Sequence, residues 1–125
     1  MIYLASPYSS PDPAVRHVRF KEVEFYTARL LINKLHVFAP IVHGHALALS
    51  YDMPTDAAFW ADYNNDMLSR CDQMWVADIE GWQESLGVKA EYQLALVQHK
   101  KIKIVIADPT EDGYTATTLT VPTWH

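Results

Sequence analysis

Apolar residues fall in short runs along this chain, separated by longer segments with helical spacing. IYLA, residues 2–5, is β-prone and predicts a buried first strand that runs into the turn-rich SPYSSPDP. Asp12 followed by Pro13 predicts a helix start, because the carboxylate accepts from orphan N–H groups and proline fits the first helical position. That helix is expected to reach about residue 34, with Phe20, Val23, Thr27, Leu30 and Leu31 as its inward stripe. HVFAP, 36–40, predicts a second strand stopped by Pro40. Residues 41–54 are expected to hold a short helix near 45–50 and an irregular loop up to Pro54. Thr55 or Asp56 then caps a helix over about 56–70 that packs through Phe59, Trp60, Tyr63 and Met67. QMWVADI, 73–79, is apolar enough for a central strand. GWQESLGVKAEYQLAL, 81–96, supplies a loop and a helix to about residue 99, and KIKIVIA, 101–107, a fourth strand. In the tail, 108–125, TATTLTV is expected to add an edge strand or to cross a partner subunit.

Strands that alternate with helices imply a mostly parallel sheet covered on both faces. The expected fold class is α/β: a three-layer Rossmann-like or flavodoxin-like domain over residues 1–125, with four to five strands. A chain of 125 residues suits one core. It contains neither GxGxxG nor a Walker A sequence, so a dinucleotide or P-loop reading has no support.

Charge narrows the partners. The net charge of −5 argues against a broad nucleic-acid surface, which needs excess Lys and Arg, but not against a small anion site. One cysteine, Cys71, allows no disulfide within the chain and is expected to be a buried thiol in a reducing cytoplasm. The apolar start is too short for a signal peptide or membrane span, so no membrane partner is expected.

In such folds ligands sit beyond the carboxyl ends of the strands. The segments there are Ser6-Pro7-Tyr8-Ser9-Ser10, Pro40 to His45, and Glu80 to Gly87. With Ser85 as cap, Glu91 lies in the second turn of its helix, on the face of Leu94 and Ala95 that meets the sheet. The helix dipole favours its ionised form and burial opposes it. An ionised, partly desolvated carboxylate beside a cleft is suited to attack an electrophilic carbon. The alternative is a rim glutamate paired with an arginine. Arg16, His17 and Arg19 lie in the first two turns of their helix, against its dipole. A bound anion relieves this, and so do ion pairs with Asp12 or Glu22. Asp66 shares a helix face with Asp62, Tyr63 and Arg70, either as a second site carboxylate or as a surface residue, with Asp62 as the alternative if the helix phase differs. His43-x-His45 with Asp52 or His36 is a weak metal pattern, and His43 is read instead as lining the pocket or bonding a phosphate.

Taken together, IYLASPYS, YNND and SLGVKAE resemble the nucleoside 2-deoxyribosyltransferase superfamily, which includes the 2'-deoxynucleoside 5'-monophosphate N-glycosidases. The resemblance spans residues 1–107 and is nearest to an uncharacterised subgroup with SPYS, a histidine after the second strand, and GWxxSxG. It implies that Glu91 is the nucleophile that attacks C1' of a nucleoside or nucleotide, that Asp66 is the active-site aspartate, and that Ser85 and Gly87 belong to the signature. Ser85 departs from the aspartate of the transferases. The monophosphate hydrolases carry a serine there that helps to hold the 5'-phosphate. With Ser6, Ser9, Arg16 and Arg19 nearby, this favours a 5'-phosphorylated ligand, and Tyr3, Tyr8 and Trp82 are expected to stack on base or sugar. No cofactor or metal is implied. The family completes its pocket across a dimer interface, so a homodimer or homotetramer is expected, with Trp124 among the contributors. A non-catalytic nucleotide-binding protein is the alternative function.

Overall fold

The computed structural model describes residues 1–120 and Trp124. The end of the TATTLTV stretch, Val121, lies outside the described residues. The elements are β1 (Ile2–Ala5), α1 (Pro13–Ile32), β2 (Val37–Phe38), α2 (Pro40–Tyr51), α3 (Ala57–Arg70), β3 (Gln73–Ala77), a single 3₁₀ turn (Trp82–Glu84), α4 (Leu86–Val97), β4 (Lys101–Ala107) and β5 (Tyr114–Thr118). They form one five-stranded sheet in the order β2-β1-β3-β4-β5. β1 pairs parallel with β2 and β3, and β3 with β4, while β5 closes the edge antiparallel to β4. The chain is thus α/β with a mostly parallel sheet between helices, and the tail supplies the edge strand.

Period-two alternation on the central strands builds the two faces. Tyr3 and Ala5 of β1 join Met74 and Val76 of β3 on the face covered by α3 and α4, with Leu68, Val88 and Ala95. Ile2 and Leu4 join Trp75 and Ala77 on the other face, with Val23 and Leu30 of α1 and Ile41 and Val42 of α2 beside them. Burial on both faces is why these strands read as continuous apolar runs.

The helix starts follow local chemistry. Asp12 accepts from Ala14 N–H at 2.9 Å, and Asp56 from Phe59 N–H at 3.1 Å. Pro40 does not end in a loop. It stands at the first position of α2, where proline has no N–H to lose, so the second strand is short and residues 41–45 are helical. Leu31 is half exposed, because α1 buries only a narrow line through Phe20, Val23 and Leu30. Phe59 and Tyr63 are also exposed, at 51% and 43%, since α3 meets the body through Trp60, Met67 and Leu68. Trp124 folds back on its own chain. It packs edge-on against Trp82 and Tyr92 and donates to the Gln83 carbonyl at 3.0 Å. No helix among the described residues is long and apolar enough to cross a membrane.

Candidate active site

β1 sits beside β2 on one side and β3 on the other, so the chain leaves neighbouring strands in opposite directions and opens a crevice at their carboxyl ends. A cavity of about 190 Å³ lies there. Ser6, Tyr8 and Ser9 reach it from the segment after β1, Pro40, Ile41 and His45 from α2, and Ser85, Gly87, Ala90 and Glu91 from α4. Ala57, Trp60, Ala61, Asn64 and Asn65 of α3 close the remaining side, a stripe with helical spacing.

Three helices begin on this wall. Ser85 caps α4, its Oγ accepting from Val88 N–H at 3.2 Å. Asp56 caps α3, and α2 starts at Ala39 without any side-chain cap. The amino ends of α2 and α4 bring positive dipole to one place, which suits an anionic ligand, while the Asp56 carboxylate on the cavity wall offsets that of α3. Ser6 adds to this. Its residue is 5% exposed, and its Oγ has no hydrogen-bond partner among the described residues. A buried, unpartnered hydroxyl on a cavity wall is satisfied when a ligand supplies the partner.

Glu91 occupies the position its spacing demands. The Ser85 cap sets the helix phase, and the second turn carries the carboxylate inward to the Tyr3 hydroxyl, which donates to Glu91 Oε2. Tyr3 faces α4 because it shares a face of β1 with Ala5. Burial pushes the Glu91 carboxyl up from 4.5 to about 7, and the Tyr3 hydrogen bond pulls it back only in part. The Tyr3 hydroxyl is itself held far above its ordinary value by burial and by Glu91. Desolvation therefore outweighs the helix dipole that favours the anion, and the carboxylate is fully ionised only above neutral pH. That desolvation also keeps water from blunting its nucleophilicity once ionised.

The predicted residues divide into those at the cavity and those that support or miss it. Glu91, Ser85, Gly87, Ser6, Tyr8 and Ser9 line it. Tyr3 is fully buried behind Glu91 and does not offer a face for stacking. Arg16 donates to the Ser10 carbonyl at 2.5 Å, and Arg19 to the Ser9 carbonyl at 2.9 Å. Neither pairs with Asp12 or Glu22. Both guanidinium groups brace the serine-rich loop, and Arg16 also stands beside Tyr8 and lines a smaller pocket with Ser9, Thr55 and Asp56 next to the cavity. Arg19 also approaches Gly81, whose φ of +94° strains any residue with a side chain; a Cβ there would lie 2.9 Å from Arg19 Nη2, the movable end of that side chain. Trp82 does not line the cavity; it is buried in the core, its indole N–H on Asp78 Oδ1 at 3.1 Å. His43 stands outside, stacked on Tyr63 at 5.5 Å. Asp66 lies off the α3 stripe, exposed and paired with Arg70 at 3.2 Å, and Asp62 is exposed too.

Sequence reasoning missed His45, Trp60, Asn64 and Asn65. The YNND segment does reach the cavity, but through its two asparagines. The signal was there: Ala57, Trp60, Ala61, Asn64 and Leu68 repeat at helical spacing, whereas Asp62 and Asp66 do not share that line. The sequence pairs His45 with His43 in a weak metal pattern. His45 is buried, 7% exposed, and stacked on Phe20 at 4.4 Å. Among the described residues no three His, Cys, Asp or Glu side chains converge to hold a metal ion.

Fold and cavity together define a small α/β domain with a carboxylate-bearing pocket at the carboxyl edge of a parallel sheet. Residues 1–107 match the model of DUF1937, a domain of unknown function, and the chain belongs to that family. No curated protein matches the chain.

Proposed function

We propose that this protein cleaves, or transfers at, the N-glycosidic bond of a nucleoside or nucleoside 5'-monophosphate, with Glu91 attacking C1'. The observation that carries the reading is the Glu91 carboxylate itself: desolvated, hydrogen-bonded by Tyr3, and on the wall of a cavity where three helices begin. Attack by Glu91 Oε forms a bond to C1' as the C1'–N bond breaks and the base departs with its electron pair. Water or a second base then displaces the carboxylate from C1'. Ser6, Ser9 and Ser85 offer neutral hydroxyls to a 5'-phosphate, and the helix amino ends offset its charge. Trp60 is the aromatic wall available to a base, a role the sequence suggested for Trp82. No step is routed through Asp66, whose carboxylate is engaged by Arg70.

The reading extends to a homodimer or homotetramer in the cytoplasm. Leu86, next to Ser85 at the cavity edge, is 81% exposed, and Phe59 and Tyr63 are exposed on α3, an apolar surface that a second copy would cover.

The test is chromatographic. Purified protein is incubated with ribo- and deoxyribonucleoside 5'-monophosphates, with and without a free acceptor base, beside Glu91→Ala. Base release that the variant loses supports the proposal, and a requirement for acceptor marks transfer. Thermal stabilisation by one nucleotide without any release would instead make the protein a binder.

A further inference from the structure

A chain of three side chains leads from the cavity to solvent and takes no part in nucleophilic attack. The Tyr8 hydroxyl, on the cavity wall, lies 2.7 Å from His45 Nδ1. His45 Nε2 lies 3.3 Å from His17 Nδ1. His17 is exposed on α1, so the chain ends in water. His45 is clamped between these partners and the Phe20 ring, which fixes both of its nitrogens in place.

This chain meets a chemical need that the rest of the cavity leaves open. A departing base carries the electron pair of the broken bond, and proton delivery at that moment is worth orders of magnitude in rate. Glu91 is committed to C1'. Asp66 is on the surface. Asp56 spends its carboxylate on the amino end of α3.

We propose that Tyr8 is the catalytic acid that protonates the leaving base, recharged by His45 and His17 as a proton relay. The inference rests on the N-glycosidic reading above. Tyr8 O–H goes to the base nitrogen, His45 Nδ1–H passes to Tyr8 Oη, and His17 Nδ1–H passes to His45 Nε2. His17 takes up one proton from water at Nε2. The base thus leaves neutral, and one solvent proton is consumed. When water displaces Glu91 from C1', its proton enters at Tyr8 and the chain runs backwards, which restores His45 to its first tautomer and returns a proton to solvent.

The surroundings favour this use. The groups that face His45 are Tyr8, His17, Arg16 and the Phe20 ring, with no carboxylate among them. Burial, His17 and Arg16 all hold its pKa below the ordinary histidine value, so His45 is neutral and has one N–H to give and one lone pair to receive. Burial holds the Tyr8 hydroxyl above its ordinary value, so it stays protonated and able to donate, and Arg16 draws it back only in part.

The test compares two substrates that differ only in whether the base needs a proton: a purine nucleoside 5'-monophosphate and its N7-methylated counterpart, whose base already departs neutral. Release is measured for wild type, Tyr8→Phe, His45→Gln and Glu91→Gln. The relay predicts that Tyr8→Phe and His45→Gln slow the ordinary nucleotide at least about 100-fold but the methylated one less than about fivefold, in line with the usual contribution of a positioned acid. Glu91→Gln is expected to abolish both. Equal slowing of the two substrates by Tyr8→Phe would overturn the relay and leave the nucleophile reading intact. Wild type that releases neither base would remove the N-glycosidic reading, and the relay with it. Because Tyr8→Phe deletes one oxygen and no ring, it keeps the comparison valid even where His45→Gln disturbs folding.

Discussion

The sharpest physical test of the site needs no substrate. Glu91→Gln replaces the carboxyl by a neutral group of the same shape, still able to accept from Tyr3. In the wild type, burial raises the carboxyl from 4.5 in an ordinary setting to about 7. A folded-state pKa above the unfolded one means that the folded protein holds the proton more tightly. Its contribution to stability is therefore complete below about pH 4.5 and is lost as pH rises through 7. At about 1.4 kcal/mol per tenfold, the full loss is on the order of 3 kcal/mol. About 2.5 kcal/mol of this falls between pH 5 and pH 8, and water that reaches the carboxylate through the cavity mouth screens part of it, so about 2 kcal/mol is expected over that range. Glutamine has no proton to lose. The variant should match the wild type within about 1 kcal/mol at pH 5 and exceed it at pH 8 by roughly 8 °C in Tm, from the unfolding entropy usual for a domain this size. Denaturant titrations of both proteins at pH 5, 6, 7 and 8 read the difference directly, and the other titrating groups cancel because both proteins share them. A difference that stays flat across this range would refute the reasoning, since the carboxylate would then be solvated and ionised well below neutrality. The same shift predicts that cleavage rises with pH through about 7, because only the anion attacks.

Other changes separate ligand-facing from fold-supporting roles. Ser6→Ala removes a buried hydroxyl without a partner, so stability should hold or rise by up to about 1 kcal/mol while nucleotide affinity, read by calorimetry, falls. Gly87→Ala places a methyl group whose nearest contact is Ser85 Oγ at 3.8 Å, so chemical denaturation should show a gain of about 0.5–1 kcal/mol from helix propensity, and steady-state kinetics a raised KM as the methyl narrows the cavity. Gly81→Ala meets both a positive φ and the Arg19 guanidinium, and should cost about 1–2 kcal/mol in a thermal melt. Asp66→Ala breaks only an exposed ion pair, so it should move stability by less than about 0.5 kcal/mol, and a far larger drop in base release would show that this carboxylate reaches the substrate.

Much of this protein was readable from local chemistry. The capping pairs Asp12-Pro13 and Asp56 and the cap at Ser85 are properties of a few neighbouring residues, as is the apolar run KIKIVIA, and each appears in the structure where its chemistry places it. From the Ser85 cap the inward aim of Glu91 followed by helix geometry alone. Local signals misled where one residue type serves two purposes. Pro40 ends a strand as readily as it starts a helix, and only the packing of Ile41 and Val42 against α1 and the sheet decided for the helix.

The order of strands and helices and the phase of α4 are local properties, because hydrogen-bonded caps and apolar periodicity act over a few residues. Tertiary structure alone decided which polar groups meet. Strand order set β1 between β2 and β3 and so chose the cavity wall. The packing of α3 across the crevice set Asn64 and Asn65 on the cavity wall and left Asp66 in water. Contact across long sequence separations brought Tyr3 to Glu91 and joined Tyr8, His45 and His17 in one line. The balance between burial and dipole that sets the Glu91 proton is likewise a property of the folded chain, since desolvation depends on what the rest of the protein packs around a group.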